Sequence, residues 1–561
     1  MIDSKPYSKD HGETMNNLEG KIESVGKIFS SDFFFAIPDY QRPFAWDESN
    51  FQDLIDDLEL ARSGHQYFLG TLVLHKKEEK NLYDVVDGQQ RITSLLILFA
   101  CLRDLIDDPN FKKHLQGKIV QEENQVDGIP ELPRISVKDR QTFREIVLAE
   151  GGTEKIYKAD ELAEPQTRYV KAITIFKSAL NKYTQDELQN FTRFINQHCN
   201  IIYLATSTFD DAFRLFTIVN DRGRQLRRID ILKAQNISPD AIANSGIRER
   251  VARQWEDLEN DIGEKEFESV LFAMRMILIK EKPQEDLFAE FENKIFKRGL
   301  LSKGEKFVDE LKVYCDLYRR IFADKDYLTK TDPNALKFRA MIHIMDSEFE
   351  ASEWRACLMF FAKKFAGDLF YEFMLEIEKV YLEQWVSGIR KDERFSIYSR
   401  ILKLIDSKSK PSEILDEIKY NPATIVEAAK LKDMYRSRFA KYFLLRLEIT
   451  ASEHDVYKEI NAKSIEHVFP RNPSGTSDWI KDEDYSEHID VVDCIGNLVL
   501  LSKSKNSSAS NHDFEVKKER YLKDRMSDYP RSLKITHESN WTIAKIKSNR
   551  DQLAEQIIVN P

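Results

Sequence analysis

Paired cysteines, long apolar runs and a signal sequence are all missing from this chain of 561 residues. No Cys-x-x-Cys pair occurs, which excludes a disulfide framework and a zinc knuckle; the five cysteines are Cys101, Cys199, Cys315, Cys357 and Cys494. No apolar stretch approaches the roughly 20 residues of a membrane-spanning helix. Residues 1–20 are polar and charged, unlike a signal peptide. We therefore expect a cytoplasmic protein with reduced cysteines and no membrane contact.

An excess of positive charge is also missing. Lysine and arginine number 84 against 95 aspartate and glutamate residues, which gives a formal net charge of −11. This balance excludes a uniformly basic nucleic-acid binder but permits a basic groove. The length is too great for one hydrophobic core and suggests three or four domains of about 150 residues.

The stretch from Asp87 to Leu95 places a polar turn between an apolar strand and an apolar helix. Residues 81–86 are rich in β-forming side chains, and apolar residues then recur at helical spacing: Ile92, Leu95, Leu96 and Phe99. Such a turn directs backbone N–H groups at one point, where Arg91 adds donors suited to phosphate. The alternative is that Gly88 only closes a loop and Arg91 pairs with a surface carboxylate.

The neighbouring elements complete a compact α/β unit. A strand is predicted over residues 33–37, followed by a loop whose two prolines exclude a helix. Asp47 is a suitable N-cap for a helix to about Ala61. Further strands are predicted over residues 67–75 and 82–86.

Three motifs of this unit resemble the N-terminal domain of the GmrSD-type modification-dependent restriction enzymes. They are Ile37-Pro-x-Tyr-Gln-Arg42 with Phe44 and Trp46, then Phe68-Leu-Gly-Thr71, then Asp87-Gly-Gln-Gln-Arg-Ile-Thr-Ser-Leu95. A later stretch matches the family through Asn220, Arg222, Gly223, Leu226, Asp230, Leu232 and Lys233.

The resemblance implies a ParB/sulfiredoxin-like α/β fold that binds a nucleoside triphosphate and couples its hydrolysis to DNA recognition or cleavage. It does not distinguish GTP, ATP, CTP and UTP. The residues that it assigns to nucleotide binding are Gln41, Arg42, Asp87, Gly88, Gln89, Gln90 and Arg91.

The middle of the chain, residues 239–450, contains little glycine or proline. Apolar residues recur there at helical spacing, for example Phe267, Val270, Leu271 and Met274. We predict about eight helices with aromatic stripes in their core. Spacing and coupling the two ends of the chain is the expected role.

A second chemical centre follows the helical middle. A β-like segment over residues 464–470 contains Glu466 and His467; Asn497 lies thirty residues after His467, and Asn506 lies nine further on. This order resembles the HNH, or ββα-metal, nuclease motif carried by the C-terminal domain of the same family.

The chemistry of phosphodiester hydrolysis suits these residue types. His467, with an ordinary pKa of about 6.5, is expected to take the proton of the attacking water. Glu466 and the Asn506 carbonyl are oxygen donors suited to Mg²⁺ or Mn²⁺. Asn497 is expected to brace the catalytic loop.

Two features of the motif leave alternatives open. Its last position is usually histidine, so Asn506 is a departure, and Asn511 or His512 are alternative ligands. Adjacent strand residues point to opposite faces, so a shared site for Glu466 and His467 requires a twist or bulge. The alternative to catalysis is a buried, hydrogen-bonded histidine.

A basic surface is predicted beside this centre, on Lys503, Lys505, Lys517, Lys518, Arg520 and Lys523. It would bind phosphates without regard to sequence, although a solvated helix face explains the spacing equally well. After Pro530 we predict a β-like stretch and then a helix from about Thr542 to Ile557.

The predicted fold is α+β and multidomain. Its parts are a flexible N-terminus (1–20), a ParB-like nucleotide-binding and DNA-sensing domain (21–238), a helical linker (239–450) and an HNH-like nuclease domain (451–561). The predicted function is modification-dependent cleavage of foreign double-stranded DNA in anti-phage defence, and the sequence leaves open whether the protein forms a homodimer. The alternatives are a nucleotide-regulated DNA-binding switch with a vestigial nuclease and a nuclease toxin restrained by a partner.

Overall fold

The computed structural model describes residues 18–561 apart from 39–40, 42–43, 63, 65, 80, 124, 127–129, 138–139, 158–161, 163, 209–210, 213–214, 217–227, 239–240, 454–460, 462–463, 503, 505, 508–509 and 523–528. The chain divides into two compact units, Met1–Arg253 and Gln254–Pro561. Several residues singled out in the sequence lie outside the described residues: Arg42, Asn220, Arg222, Gly223, Leu226, Lys503, Lys505 and Lys523.

A six-stranded sheet forms the centre of the first unit. Its strands are β1 (Glu19–Ser24), β2 (Phe34–Ala36), β3 (Tyr67–Lys76), β4 (Leu82–Asp87), β7 (Ile135–Ser136) and β8 (Cys199–Thr206), in the order β1-β8-β3-β4-β2-β7. β5 (Val120–Gln121) and β6 (Leu132–Pro133) form a separate antiparallel pair. Parallel and antiparallel pairings both occur in the main sheet. The predicted mixed α/β architecture is confirmed.

Eight helices accompany this sheet among the described residues of the first unit. They are α1 (Val25–Ile28), α2 (Glu48–Ala61), α3 (Gln89–Leu105), α4 (Pro109–Ile119), α5 (Arg140–Phe143), α6 (Glu164–Leu180), α7 (Gln185–His198) and α8 (Arg228–Asn236). Asp47 caps α2, as predicted, by accepting hydrogen bonds from the backbone of Ser49 and Asn50. Residues Ile92 to Leu102 of α3 are buried around the whole helix, as expected of a helix that is apolar on every side.

The second unit is largely helical. Helix α9 (Ser245–Ile262) contains the boundary between the units, and the helices after it are α10 (Glu264–Ile279), α11 (Leu287–Glu290), α12 (Glu305–Tyr318), α13 (Ala335–Glu348), α14 (Glu353–Phe365), α15 (Phe370–Val386), α16 (Lys391–Ser407), α17 (Pro411–Glu417), α18 (Pro422–Ala429) and α19 (Ala440–Thr450). The predicted helical middle is confirmed. Its described residues hold eleven helices, more than predicted, because three of them span eight residues or fewer.

The C-terminal region adds two strands and four more helices among its described residues. They are β9 (Ser464–His467), β10 (Leu498–Leu501), α20 (His488–Val491), α21 (Phe514–Leu522), α22 (Pro530–Thr536) and α23 (Ile543–Gln556). Thr542 caps α23, so that helix is confirmed. The β-like stretch predicted after Pro530 is wrong, because proline at the first helical position is preset for a helix and loses no hydrogen bond there. Among the described residues, no helix is both long and apolar enough to span a membrane.

Gly88, which joins β4 to α3, provides a test of the first unit. Its φ of +94° is left-handed, and a Cβ atom there would lie 2.2 Å from Leu72 Cδ2. We expect Gly88→Ala to lower the free energy of unfolding by about 1–3 kcal/mol, measured by chemical denaturation. Gly117→Ala is the control, because nothing lies within 4 Å of a Cβ in that helical position. Equal stability of the two variants would contradict the strained turn.

Candidate functional site

Three of the four predicted nuclease residues lie on or next to β9 and β10. Glu466 and His467 are on β9, and Asn497 directly precedes β10. The strands pair antiparallel in regular register, with His467 opposite Leu498 and Glu466 opposite Val499. β10 is apolar and fully buried, so β9 lies against the core of the C-terminal region. Side chains alternate along a strand, and Glu466 and His467 accordingly point to opposite faces.

Glu466 faces the interior and is 4% exposed. Its Oε1 atom accepts hydrogen bonds from Lys517 Nζ at 2.7 Å and from the Tyr521 hydroxyl at 3.0 Å. Both donors lie on one face of α21, four residues apart. Burial raises the pKa of Glu466 and lowers the pKa of Lys517, because both charged groups lose hydration.

The burial of Lys517 corrects the predicted basic surface. Its side chain is 1% exposed, and its Nζ atom also donates to the His467 carbonyl oxygen at 2.7 Å. The prediction is therefore wrong for Lys517, since the face of α21 that packs on β9 carries it inward. Lys518 and Arg520, on the same helix, are partly exposed.

The His467 side chain occupies the other face of β9 and is 13% exposed. Its Nε2 atom lies 2.7 Å from Asp493 Oδ1, and the centroid of the Tyr435 ring lies 4.5 Å from that of the imidazole. Burial lowers the pKa of His467, and the Asp493 carboxylate opposes this effect. The lowered pKa favours the neutral imidazole, with one nitrogen held by a carboxylate.

Asn497 is completely buried and braces the turn after β9. Its Oδ1 atom accepts hydrogen bonds from the Phe469 backbone at 2.8 Å and from Trp541 Nε1 at 3.1 Å. Its Nδ2 atom donates to the carbonyl oxygens of Phe469 and Val492, each at 2.8 Å. Because its amide is engaged on both ends, Asn497 holds the backbone that follows His467.

Three side chains at this site were not predicted from the sequence: Asp493, Arg471 and Tyr435. Asp493 links Arg471 to His467, because Arg471 Nη2 lies 3.0 Å from its Oδ2 atom while His467 contacts its Oδ1 atom. Asp493 stands alone in an apolar stretch four residues before Asn497, which is a weak sequence signal. Nothing in the spacing indicated Tyr435.

The predicted metal ligands do not form an open cation site in this arrangement. Glu466 is neutralised by Lys517, and the Asn506 amide donates to the Ile465 carbonyl oxygen at 3.0 Å and to the Ser464 hydroxyl. Within the described part of the chain, no group of three or more His, Cys, Asp and Glu side chains could hold a metal ion. These donors do not fit a bound Mg²⁺ or Mn²⁺, so the ligands of a cation stay unassigned.

In the first unit, the first and third N-terminal motifs meet at the end of β4. Gln41 Nε2 donates to the Val86 carbonyl oxygen at 2.8 Å. Gln90 Oε1 accepts hydrogen bonds from the backbone of Ala45 at 2.8 Å and of Trp46 at 3.0 Å. These two glutamines therefore fasten the loop after β2 to the strand-to-helix turn.

Arg91 connects the same turn to the second motif. Its Nη1 atom donates to the Thr71 carbonyl oxygen at 3.2 Å, and its guanidinium lies against Gly70, where a Cβ atom would come within 2.9 Å. Burial lowers the pKa of Arg91, and Asp87 opposes this effect. Gln89 is buried at the start of α3. The structure thus brings the three motifs together around residues 87–91.

The buried Glu466–Lys517 pair generates a test in the absence of metal. We expect Glu466→Gln, in buffer with a chelator, to lower the free energy of unfolding by about 3–5 kcal/mol, because Lys517 keeps a buried charge without a counter-charge. Glu519→Gln, at an exposed position on α21, is the control and is expected to unfold like the parent protein. Unchanged stability of the Glu466 variant without metal would indicate a metal ligand instead of a structural ion pair.

Two models of protein-family domains match the chain. The model of the GmrSD restriction endonuclease N-terminal domain matches residues 25–237, and the model of the GmrSD restriction endonuclease C-terminal domain matches residues 423–556. No curated protein matches the chain. The two matches together span more than half of the sequence and include both the 87–91 turn and the His467 site. The chain belongs to the GmrSD restriction endonuclease family, and DNA is the partner that this membership implies.

Proposed function

We propose that this restriction endonuclease cleaves a DNA phosphodiester at His467 and binds a nucleoside triphosphate at the 87–91 turn. The observation that carries the proposal is the contact between His467, at the end of β9, and Asp493, at 2.7 Å. A buried, neutral histidine with one nitrogen held by a carboxylate has the properties of a general base. The order of β9, β10 and α21 supports an HNH-like arrangement.

The hydrogen bond to Asp493 sets the roles of the two imidazole nitrogens. In the neutral ring, Nε2–H donates to Asp493 Oδ1, which leaves the Nδ1 lone pair to take the proton of a water molecule. The water oxygen then bonds to phosphorus while the bond to the leaving oxygen breaks. Asp493 stabilises the imidazolium that forms, while Lys517 holds the backbone at His467 and Asn497 holds it two residues later, at Phe469.

Substitution of the base tests the cleavage proposal. We expect His467→Ala to lower the rate of nicking of susceptible plasmid DNA by about 100- to 10,000-fold, the usual contribution of a general base. Asp493→Asn is expected to cause a smaller loss, because the imidazole stays in place but its counter-charge is removed. His537→Ala, at an exposed position, is the control. A His467→Ala protein that cuts at the normal rate would exclude His467 as the base.

The nucleotide proposal rests on the placement of the motif residues. Gly88 leads into the N-terminus of the seventeen-residue helix α3, where backbone N–H groups favour an anion. Arg91 supplies a guanidinium one turn into that helix. Asp87, Gln89, Gln90, Gln41 and Arg42 complete the set that the family resemblance assigns to the nucleotide. GTP, ATP, CTP and UTP are all candidates.

Removal of Arg91 tests the nucleotide proposal separately from cleavage. We expect Arg91→Ala to weaken nucleotide binding by about tenfold or more, because a charge-assisted contact to phosphate is lost. Titration with each fluorescent nucleoside triphosphate in turn measures the affinity and identifies the preferred base. Arg193→Ala, at an exposed position of α7, is the control. Equal affinities of parent and Arg91 variant would remove this arginine from the site.

The biological role that we propose is defence against phage, with modified foreign double-stranded DNA as the substrate and nucleotide hydrolysis coupled to cleavage. Mg²⁺ or Mn²⁺ is the proposed cofactor, on the resemblance to HNH nucleases alone. The intact His467–Asp493 pair favours an active nuclease over a DNA-binding switch with a vestigial site. Matched DNAs that differ in a single modification identify what is recognised.

A further inference from the structure

Two side chains outside the predicted motif, Tyr435 and Arg471, are connected to the His467 imidazole. Tyr435 lies between α18 and α19, and Arg471 follows β9 by four residues. The Arg471 Cζ atom lies 5.6 Å from the Tyr435 ring centroid, and Arg471 Nη2 lies 3.0 Å from Asp493 Oδ2. Because His467 contacts both Asp493 and Tyr435, the four side chains form a closed ring of contacts.

Asp493 gives Arg471 a fixed position relative to the base. The two oxygens of this carboxylate are shared between His467 and Arg471, and the carboxylate side chain is only 12% exposed. The Tyr435 backbone N–H also donates to the Asp493 carbonyl oxygen at 3.0 Å, so the aromatic ring is tied to the same residue. The guanidinium is therefore held from two sides.

Arg471 nevertheless reaches solvent, with a side chain that is 37% exposed. A guanidinium has five N–H donors, and a single carboxylate oxygen does not saturate them. The basic residues near Tyr435 in the sequence have other partners. Lys432 pairs with Asp490 and Arg436 pairs with Asp433, and neither carboxylate contacts His467. Arg471 is thus an exposed cation that is oriented by the partner of the catalytic base.

A cation beside the base favours phosphodiester hydrolysis. The scissile phosphate brings negative charge, and more develops on its oxygens as water attacks. The planar fork of arginine matches two phosphate oxygens, which a single lysine charge does not. We propose that Arg471 binds the scissile DNA phosphate beside His467 and that Tyr435 positions the Arg471 guanidinium. This inference rests on the proposed nuclease function of the same site.

DNA binding tests the inference without depending on cleavage. The parent for the measurement is the full chain with His467→Ala, titrated with double-stranded DNA at several salt concentrations. Adding Arg471→Ala is expected to weaken binding about tenfold and to lower the slope of log K against log salt by about 0.9, the loss of one phosphate contact. Adding Arg471→Lys is expected to keep the salt slope of the parent, because the positive charge remains. Its DNA affinity is expected to be lower than that of the parent, because the two-donor fork of the guanidinium is lost.

Tyr435 is tested as a positioning residue in protein that retains His467. Tyr435→Leu removes the aromatic face and is expected to raise the KM for DNA several-fold with a smaller fall in kcat. Tyr435→Phe keeps that face and is expected to restore the parent KM. If Tyr435 had a purely structural role, both variants would change the melting temperature, and neither would raise KM more than it lowers kcat.

Arg319→Ala, a surface arginine on the helical part of the same unit, is the matched control and is expected to leave DNA affinity unchanged. Parent affinity and an unchanged salt slope in both Arg471 variants would overturn the inference. Arg471→Ala could weaken DNA binding only because it unfolds the protein, which a lower melting temperature would reveal. The folded Arg471→Lys variant then decides, and parent DNA affinity in that variant would also overturn the inference. Normal cutting by His467→Ala would instead refute the nuclease assignment, whatever the binding results.

Discussion

The buried ion pair between Glu466 and Lys517 is the interaction on which the C-terminal site depends. A carboxylate that is 4% exposed is stable in its charged form only beside an opposite charge and hydrogen-bond donors. Lys517 supplies the charge, Tyr521 supplies a hydrogen bond, and Lys517 also binds the His467 carbonyl oxygen. The pair thereby joins α21 to one face of β9 and leaves the other face for the histidine.

On that other face, the site is assembled from segments that are distant along the chain. Tyr435 precedes α19, His467 ends β9, and Asp493 comes before β10. Asn497 and Trp541 complete the support, because they hydrogen-bond to each other and Asn497 binds both backbone groups of Phe469. Each functional side chain is thus oriented by a buried group from another segment, which is how folded proteins restrict the geometry of reactive residues.

The first unit uses its polar motif residues in the same way. Gln41 and Gln90 form hydrogen bonds with backbone groups, and Arg91 donates a hydrogen bond to the Thr71 carbonyl oxygen. Residues that were singled out for ligand chemistry therefore also hold the turn together. In such a site, a substitution changes both ligand affinity and local stability, so the two must be measured together.

The sequence by itself determined the local features of this protein. Asp47 indicated the start of α2 as an N-cap, Gly88 indicated a turn before α3, and apolar spacing predicted the helical middle. The order of Glu466, His467, Asn497 and Asn506 pointed to one region. Caps, turns and apolar spacing act over a few residues, so they can be read without the fold, although the helix that begins at Pro530 was predicted to be β-like.

Tertiary structure alone decided which charges are buried and which side chains meet. Lys517 looked like a surface residue until its helix packed on β9, and Asp493, Arg471 and Tyr435 gave no motif because their contacts span up to about sixty residues. Whether a charged side chain is solvated or paired depends on the groups that the fold places around it. The free energy of burying the charge is set by contacts between distant parts of the chain, which no local sequence pattern contains.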